Sequence, residues 1–180
     1  MKNIFKLMGI ALLASSMIFV SCKKDNGGDE PTPQQENVYT LKWDGQTQNP
    51  GYVGAMTNGQ MFAFQAADHI EGDNIYLPIF TVYMTGTSAS DMAIIPNYTE
   101  VGIETVYSSE NGAQYLDWPY DEEGNQSFKV TAFDATTYKM SAEMSLTFYS
   151  LADYIDGNSS PAQKVMDLTL TNYTFEMVQQ

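Results

Sequence analysis

The chain has 180 residues, with 8 lysines, no arginine, one histidine, one cysteine and 22 carboxylates, for a formal net charge of −14. A strongly acidic chain without the guanidinium fork repels phosphate backbones and anionic headgroups, which excludes nucleic-acid binding. A single cysteine excludes an internal disulfide, and one histidine falls short of the three or four nitrogen or sulfur ligands that zinc takes.

The N-terminal segment reads as an export signal. Lys2 and Lys6 precede a charge-free apolar run of 14 residues, Leu7 to Val20, that ends in Ser21 and Cys22. As a helix the run reaches ~21 Å, short of the ~30 Å hydrocarbon core, so it fits a cleaved signal better than a span. Residues 1–21 resemble a bacterial lipoprotein signal cut before Cys22, although Phe19 and Val20 replace the usual Leu and small residue. The resemblance implies a lipid-carrying Cys22 and anchorage by more than one acyl chain, since one chain holds only marginally. Six lysines against 22 acids then leave the mature chain at a formal −16. Residues 22–36, with Gly27, Gly28, Pro31 and Pro33 and few apolar side chains, predict a flexible tether.

Residues 37–180 suffice for one domain with one core, and strands dominate them. Val38 to Trp43 is a short strand before Asp44-Gly45. Tyr52 to Met56 and Met61 to Ala67 flank Asn58-Gly59, a hairpin signal because both residues tolerate positive φ. His69 falls before Glu71-Gly72-Asp73, which predicts an exposed loop histidine. Asn74 to Thr85 is apolar on both faces and reads as a central strand, with Pro78 allowed only at a bulge or an unpaired position. Ile103 to Tyr107 and Gln114 to Trp118 bracket Glu110-Asn111-Gly112, another hairpin.

Gln126 to Phe133 leads through Asp134-Ala135-Thr136-Thr137 into the clearest strand. There Tyr138, Met140, Ala142, Met144, Leu146 and Phe148 alternate with polar residues, so one face is buried. Leu151 to Ile155 makes at most one helical turn. In the last strand the apolar set moves from Met166, Leu168 and Leu170 to Tyr173, Phe175 and Met177. That change of phase predicts a bulge near Thr171-Asn172, or a strand that leaves one sheet for contacts on its other side. The expected fold is all-β, an antiparallel sandwich of eight or nine strands, with a small lipocalin-like barrel as the alternative.

Three C-terminal runs, Gln126 to Asp134, Tyr138 to Phe148 and Met166 to Phe175, together with the signal and tether, resemble a group of uncharacterised Bacteroidota β-rich lipoproteins. The resemblance implies the fold and an outer-membrane anchor, with the domain on the periplasmic face or the cell surface; it implies no activity. Acidic residues after Cys22 favour the surface, although Lys23 and Lys24 come first. Protease added to intact cells separates the two locations.

Residues that carry chemistry are sparse. Gly86 to Ser90 lacks the closing glycine of a nucleophile elbow. His69 has Asp68 and Glu71 nearby but no catalytic set, and the eight methionines after Cys22 suit core packing better than haem ligation. Asp117, Asp121, Glu123 and Asn125 are hard oxygen ligands around Gly124 and make a weak calcium candidate without EF-hand spacing; a solvated acidic loop is the simpler reading. Trp118 and Tyr120 are the best candidates for stacking on a ligand, with core packing as the simpler role. No cofactor is implied. The expected function is non-enzymatic: a lipid-anchored binding or interaction module for a protein or glycan. The alternatives are a glycan hydrolase using a carboxylate pair and an assembly protein acting through a sheet edge.

Overall fold

The computed structural model describes residues 37–71, 74–109 and 112–178. The strands are β1 (Val38–Trp43), β2 (Gln46–Thr47), β3 (Tyr52–Thr57), β4 (Met61–Glu71), β5 (Asn74–Thr85), β6 (Ala93–Ile94), β7 (Glu100–Ser109), β8 (Gly112–Pro119), β9 (Ser127–Asp134), β10 (Lys139–Tyr149), β11 (Gln163–Thr174) and β12 (Glu176–Met177). One helical turn, α1 (Leu151–Ile155), sits between β10 and β11, and the Ser150 side chain caps it by accepting from the Asp153 N–H.

Two sheets form an all-β sandwich, and neither closes into a barrel. The first has the order β2-β1-β11-β10-β9; the second runs β12-β3-β4-β5-β7-β8, with β6 beside β5. Alternation builds the interior from both inner faces. Leu41, Met140, Leu146, Phe148, Met166 and Leu168 come from the first sheet, and Phe62, Phe64, Phe80, Val82 and Met84 from the second, all within 1 % of full burial. Each such side chain contributes about 1.5–3 kcal/mol of transfer free energy. Aromatic pairs join the layers: Tyr39 to Phe64 at 6.0 Å, Trp43 to Phe80 at 6.0 Å and Phe62 to Phe133 at 5.4 Å.

The phase change in the last strand is a bulge. Leu170 faces Ala142 and Tyr173 faces Met140, so Thr171 and Asn172 together oppose Ser141. Asn172 takes a φ of 46°, and its N–H donates to Ser141 Oγ at 2.9 Å. The strand then leaves its sheet as well, because β12 pairs in parallel with β3 of the other layer. Pro78 also lies at an irregularity: Ala67 faces Ile79 and His69 faces Tyr76, leaving Leu77 and Pro78 opposite Asp68.

Several local expectations need correction. His69 belongs to β4 rather than a loop; its side chain is exposed, stacked on Tyr76 at 3.8 Å and 2.8 Å from Asp68 Oδ2. In the β3–β4 turn only Gly59 has positive φ, because the Asn58 side chain accepts from Gln60 and Met61 N–H and holds the turn in another way. Tyr138 is a turn residue with a φ of 51°, ahead of β10. Met177 is exposed, since two residues of β12 only rim the edge of β3. The Glu110-Asn111 turn lies outside the described residues, and β7 and β8 on either side of it pair as a hairpin.

Candidate functional site

The Trp118-Pro119-Tyr120 segment is where the chain passes from the second sheet to the first. Val101 still pairs with Trp118, whereas Tyr120 bridges Phe148 and Asp121 N–H donates to Thr147 O at 2.8 Å. The crossing turns Trp118 inward: it is 7 % exposed and edge-to-face with Trp43 at 5.9 Å. It therefore offers no open ring for a ligand. Lys164 closes the same cluster, its Nζ 5.2 Å from the Trp118 ring and 5.9 Å from Trp43. Tyr120 is half-buried, edge-to-face with Phe148 at 6.2 Å; burial first, then Glu122 and Asp121, raises its hydroxyl pKa. Trp43 Nε1 is buried without a hydrogen-bond partner among the described residues.

The loop after Tyr120 is held by its own bonds. Asp121 Oδ1 accepts from Glu123 N–H at 3.1 Å, and its Oδ2 accepts from Gln163 Nε2 at 2.6 Å. Gln126 ties the loop to β10, donating to Asp121 O and accepting from Thr147 N–H. Gly124 is needed for close approach, because a Cβ there would lie 2.9 Å from Thr147 Cβ. Glu123 and Asn125 are exposed, and the Asp117 side chain lies outside the described residues. Both Asp121 oxygens thus close the loop rather than converge on a cation. No cluster of three or more metal-ligating side chains occurs among the described residues. Cys22 also lies outside them, and no helix among them is long and apolar enough to cross a membrane.

Among the described residues, two carboxylates have clearly lowered pKa values. Hydrogen bonds from Ser88 and Thr87 hold Asp91 at about 2, and Thr137 and Thr136 lower Asp134. Both serve turns, Asp134 as the anchor of the β9–β10 hairpin.

Two surface depressions meet at the β2–β3 loop. One, of about 290 Å³, is lined by Tyr39, Thr40, Leu41, Thr47, Gln48 and Asn49. The other, of about 140 Å³, continues past Gln48 and Asn49 to Pro50, Asp68, Pro78 and Phe80. The loop is fixed at both ends: Gln48 N–H donates to Leu41 O at 2.9 Å, and Gly51 N–H to Asp68 O at 2.7 Å. Any Cβ on Gly51 would collide with that Asp68 oxygen.

The two outer sheet faces differ in chemistry. On the first, Lys42 lies opposite Asp167 and Glu143 opposite Lys129, all exposed. On the second, the cross-strand rows are Tyr52-Ala67-Ile79-Gly102, Gly54-Gln65-Thr81-Glu100 and Met56-Ala63-Tyr83. Glu100 lies in the second row, Asp117 continues the first beside Gly102, and Glu176 continues the third beside Met56. The charges in these rows thus fall on β7, β8 and β12 and none on β3, β4 or β5, where Ala67 and Thr81 are buried. Tyr98 packs on Tyr83 at 5.9 Å, and burial, then Glu100 and Tyr98, raises the Tyr83 pKa. Sequence reasoning missed this face and the loop trough. The signal for the face was present in the outward positions of β4 and β5, where Ala63, Gln65, Thr81 and Tyr83 carry no charge in a chain with 22 acids.

No family model matches this chain, and no curated protein matches it.

Proposed function

We propose that the chain is a lipid-anchored cell-envelope protein whose sandwich domain is a non-enzymatic interaction module. The observation that carries the interaction reading is the uncharged outer face of β3, β4 and β5. A solvated sheet face in so acidic a chain is expected to carry charges, as the face of β1, β11, β10 and β9 does. Tyrosine and methionine without lysine or aspartate is instead the composition of contact surfaces. The envelope reading rests on Lys2, Lys6, the apolar run and Cys22, and on the resemblance to Bacteroidota lipoproteins. The composition of residues 22–36 suits a tether that lets the domain reach a partner away from the bilayer.

Two measurements test the two halves. Cells fed an alkyne-bearing fatty acid label the wild-type chain and leave Cys22→Ala unlabelled; equal labelling overturns the anchor. A photo-crosslinking residue at Ala63, on the uncharged face, gives a discrete adduct in intact cells, while the same residue at Ser145, on the charged face, gives none. Adducts at neither position, or equally at both, overturn the contact surface.

A further inference from the structure

We propose that the trough around Gln48 and Asn49 is a binding site for a short neutral oligosaccharide, separate from the uncharged sheet face. The larger depression runs along the edge of β1 beside Thr47, Gln48 and Asn49, with the inward Tyr39 and the buried Leu41 on one side of the strand and the exposed Thr40 on the other. No aspartate, glutamate or lysine lines it. Amides and hydroxyls each donate and accept, which matches the mixed donor and acceptor character of sugar hydroxyls.

Charge narrows the ligand class. A phosphate or carboxylate ligand needs a cation or a cluster of free N–H donors, and this lining offers no cationic side chain in a chain of net negative charge. A cationic ligand finds no carboxylate in the larger depression. An apolar ligand finds Leu41 and the Tyr39 ring amid polar groups. A neutral polyol fits, with the half-buried Tyr39, braced by Phe64 and Tyr173, supplying an aromatic wall.

Size and order agree. About 290 Å³ lies just below the ~300–1,000 Å³ of small-molecule sites, which limits it to one sugar ring. The adjoining depression of about 140 Å³ gives a partial second subsite, where Pro50 and Pro78 offer apolar contact and the Asp68 carboxylate, one oxygen of which is 2.8 Å from His69 Nδ1, would accept a hydrogen bond from a sugar hydroxyl. The wall between the subsites is preorganised by the bonds from Gln48 to Leu41 and from Gly51 to Asp68, so little loop ordering opposes binding.

The test uses the full chain in a detergent without a sugar headgroup. Saturation-transfer NMR is run with maltose, cellobiose and lactose, and with sialyllactose as the anionic comparison. At least one neutral disaccharide binds with Kd of ~1 mM, and sialyllactose binds more weakly than lactose. The double variant Gln48→Ala, Asn49→Ala weakens binding about tenfold while keeping the wild-type melting temperature; Asp68→Asn lowers affinity for disaccharides but not for free glucose. No transfer from any neutral sugar, or equal affinity in the double variant, overturns the site. Cleavage of the disaccharide that is lost in the double variant supports the site and overturns the non-enzymatic reading instead.

Discussion

Deleting Asn172 is expected to leave the fold intact, although the residue lies within a 12-residue strand. In a regular strand the removal of one residue turns every side chain beyond it to the other face. Here Leu170, Tyr173 and Phe175 are all buried while Thr171 is exposed, because Thr171 and Asn172 share one place in the ladder. Without Asn172, Leu170, Tyr173 and Phe175 alternate regularly and remain inward, and a left-handed backbone position disappears. The expected change in unfolding free energy is below about 1 kcal/mol. Deleting Thr169, three positions earlier, gives the opposite result. Its least costly accommodation closes the bulge, swings Leu170 out of the core and turns Thr171 in. Losing one buried leucine costs about 1.5–3 kcal/mol, and an unpartnered buried hydroxyl about 1–3 kcal/mol more. The sum, about 2.5–6 kcal/mol, is a large part of the ~5–15 kcal/mol that domains possess. Urea unfolding followed by the fluorescence of Trp43 and Trp118, both buried, reads the two midpoints. With a slope of ~1–3 kcal/mol per molar urea, the Thr169 deletion shifts the midpoint by about 1 M or more. If the Asn172 deletion is as damaging as the Thr169 deletion, the reasoning fails.

Acid sensitivity has a sign. Asp91 is held at about 2, below its ordinary 3.8, by bonds from Ser88 and Thr87. Its contribution to stability is present above pH ~4 and is lost as the pH falls towards 2. Melting curves from pH 5 to 2 are expected to show a shallower acid decline for Asp91→Asn than for wild type. Replacing Lys164 with Gln removes the cation above Trp118 and Trp43, and the urea midpoint is expected to fall by the equivalent of about 1 kcal/mol. An unchanged midpoint would mean that the ammonium contributes nothing there. Calcium at ~1 mM is expected to leave the melting temperature unchanged, because both Asp121 oxygens are engaged with Glu123 and Gln163; a rise would show that the loop reorganises around the ion.

Much of the fold was legible because strand alternation is a local signal. Met140 to Phe148 could be assigned to one face from spacing alone, and the broken phase at Thr171-Asn172 pointed to a bulge or to a departure to the other sheet, of which the chain makes both. Nine strands reach six residues or more among the described residues, in line with the eight or nine expected. The binding surfaces were less legible for a physical reason. Trp118 read as an open loop aromatic, because nothing local reveals that the chain crosses between sheets at Pro119 and turns the indole towards Trp43. The Asp121 loop read as a set of free oxygen ligands, because the Gln163 that occupies one of them is 42 residues away. The trough joins Tyr39 on β1 to Pro78 on β5, and only the assembled sandwich brings them to one seam.

The chain enters and leaves the sandwich at opposite ends of its sequence. Val38 pairs with Thr171, and Met56 with Glu176, so each layer is finished by a residue from the last ten. An emerging chain can therefore pair β3, β4, β5, β7 and β8 once Pro119 is present, but the first layer has no connection between β1 and β10 until β11 arrives. Such distant pairing makes folding slow, on the millisecond-to-second scale of other β-sandwiches. A chain cut short near residue 170 keeps the β1 pairings from Tyr39 to Trp43, loses only that of Val38, and leaves β3 with a bare edge. β11 is thus the strand that closes the first layer, holding β1 on one side and β10 on the other.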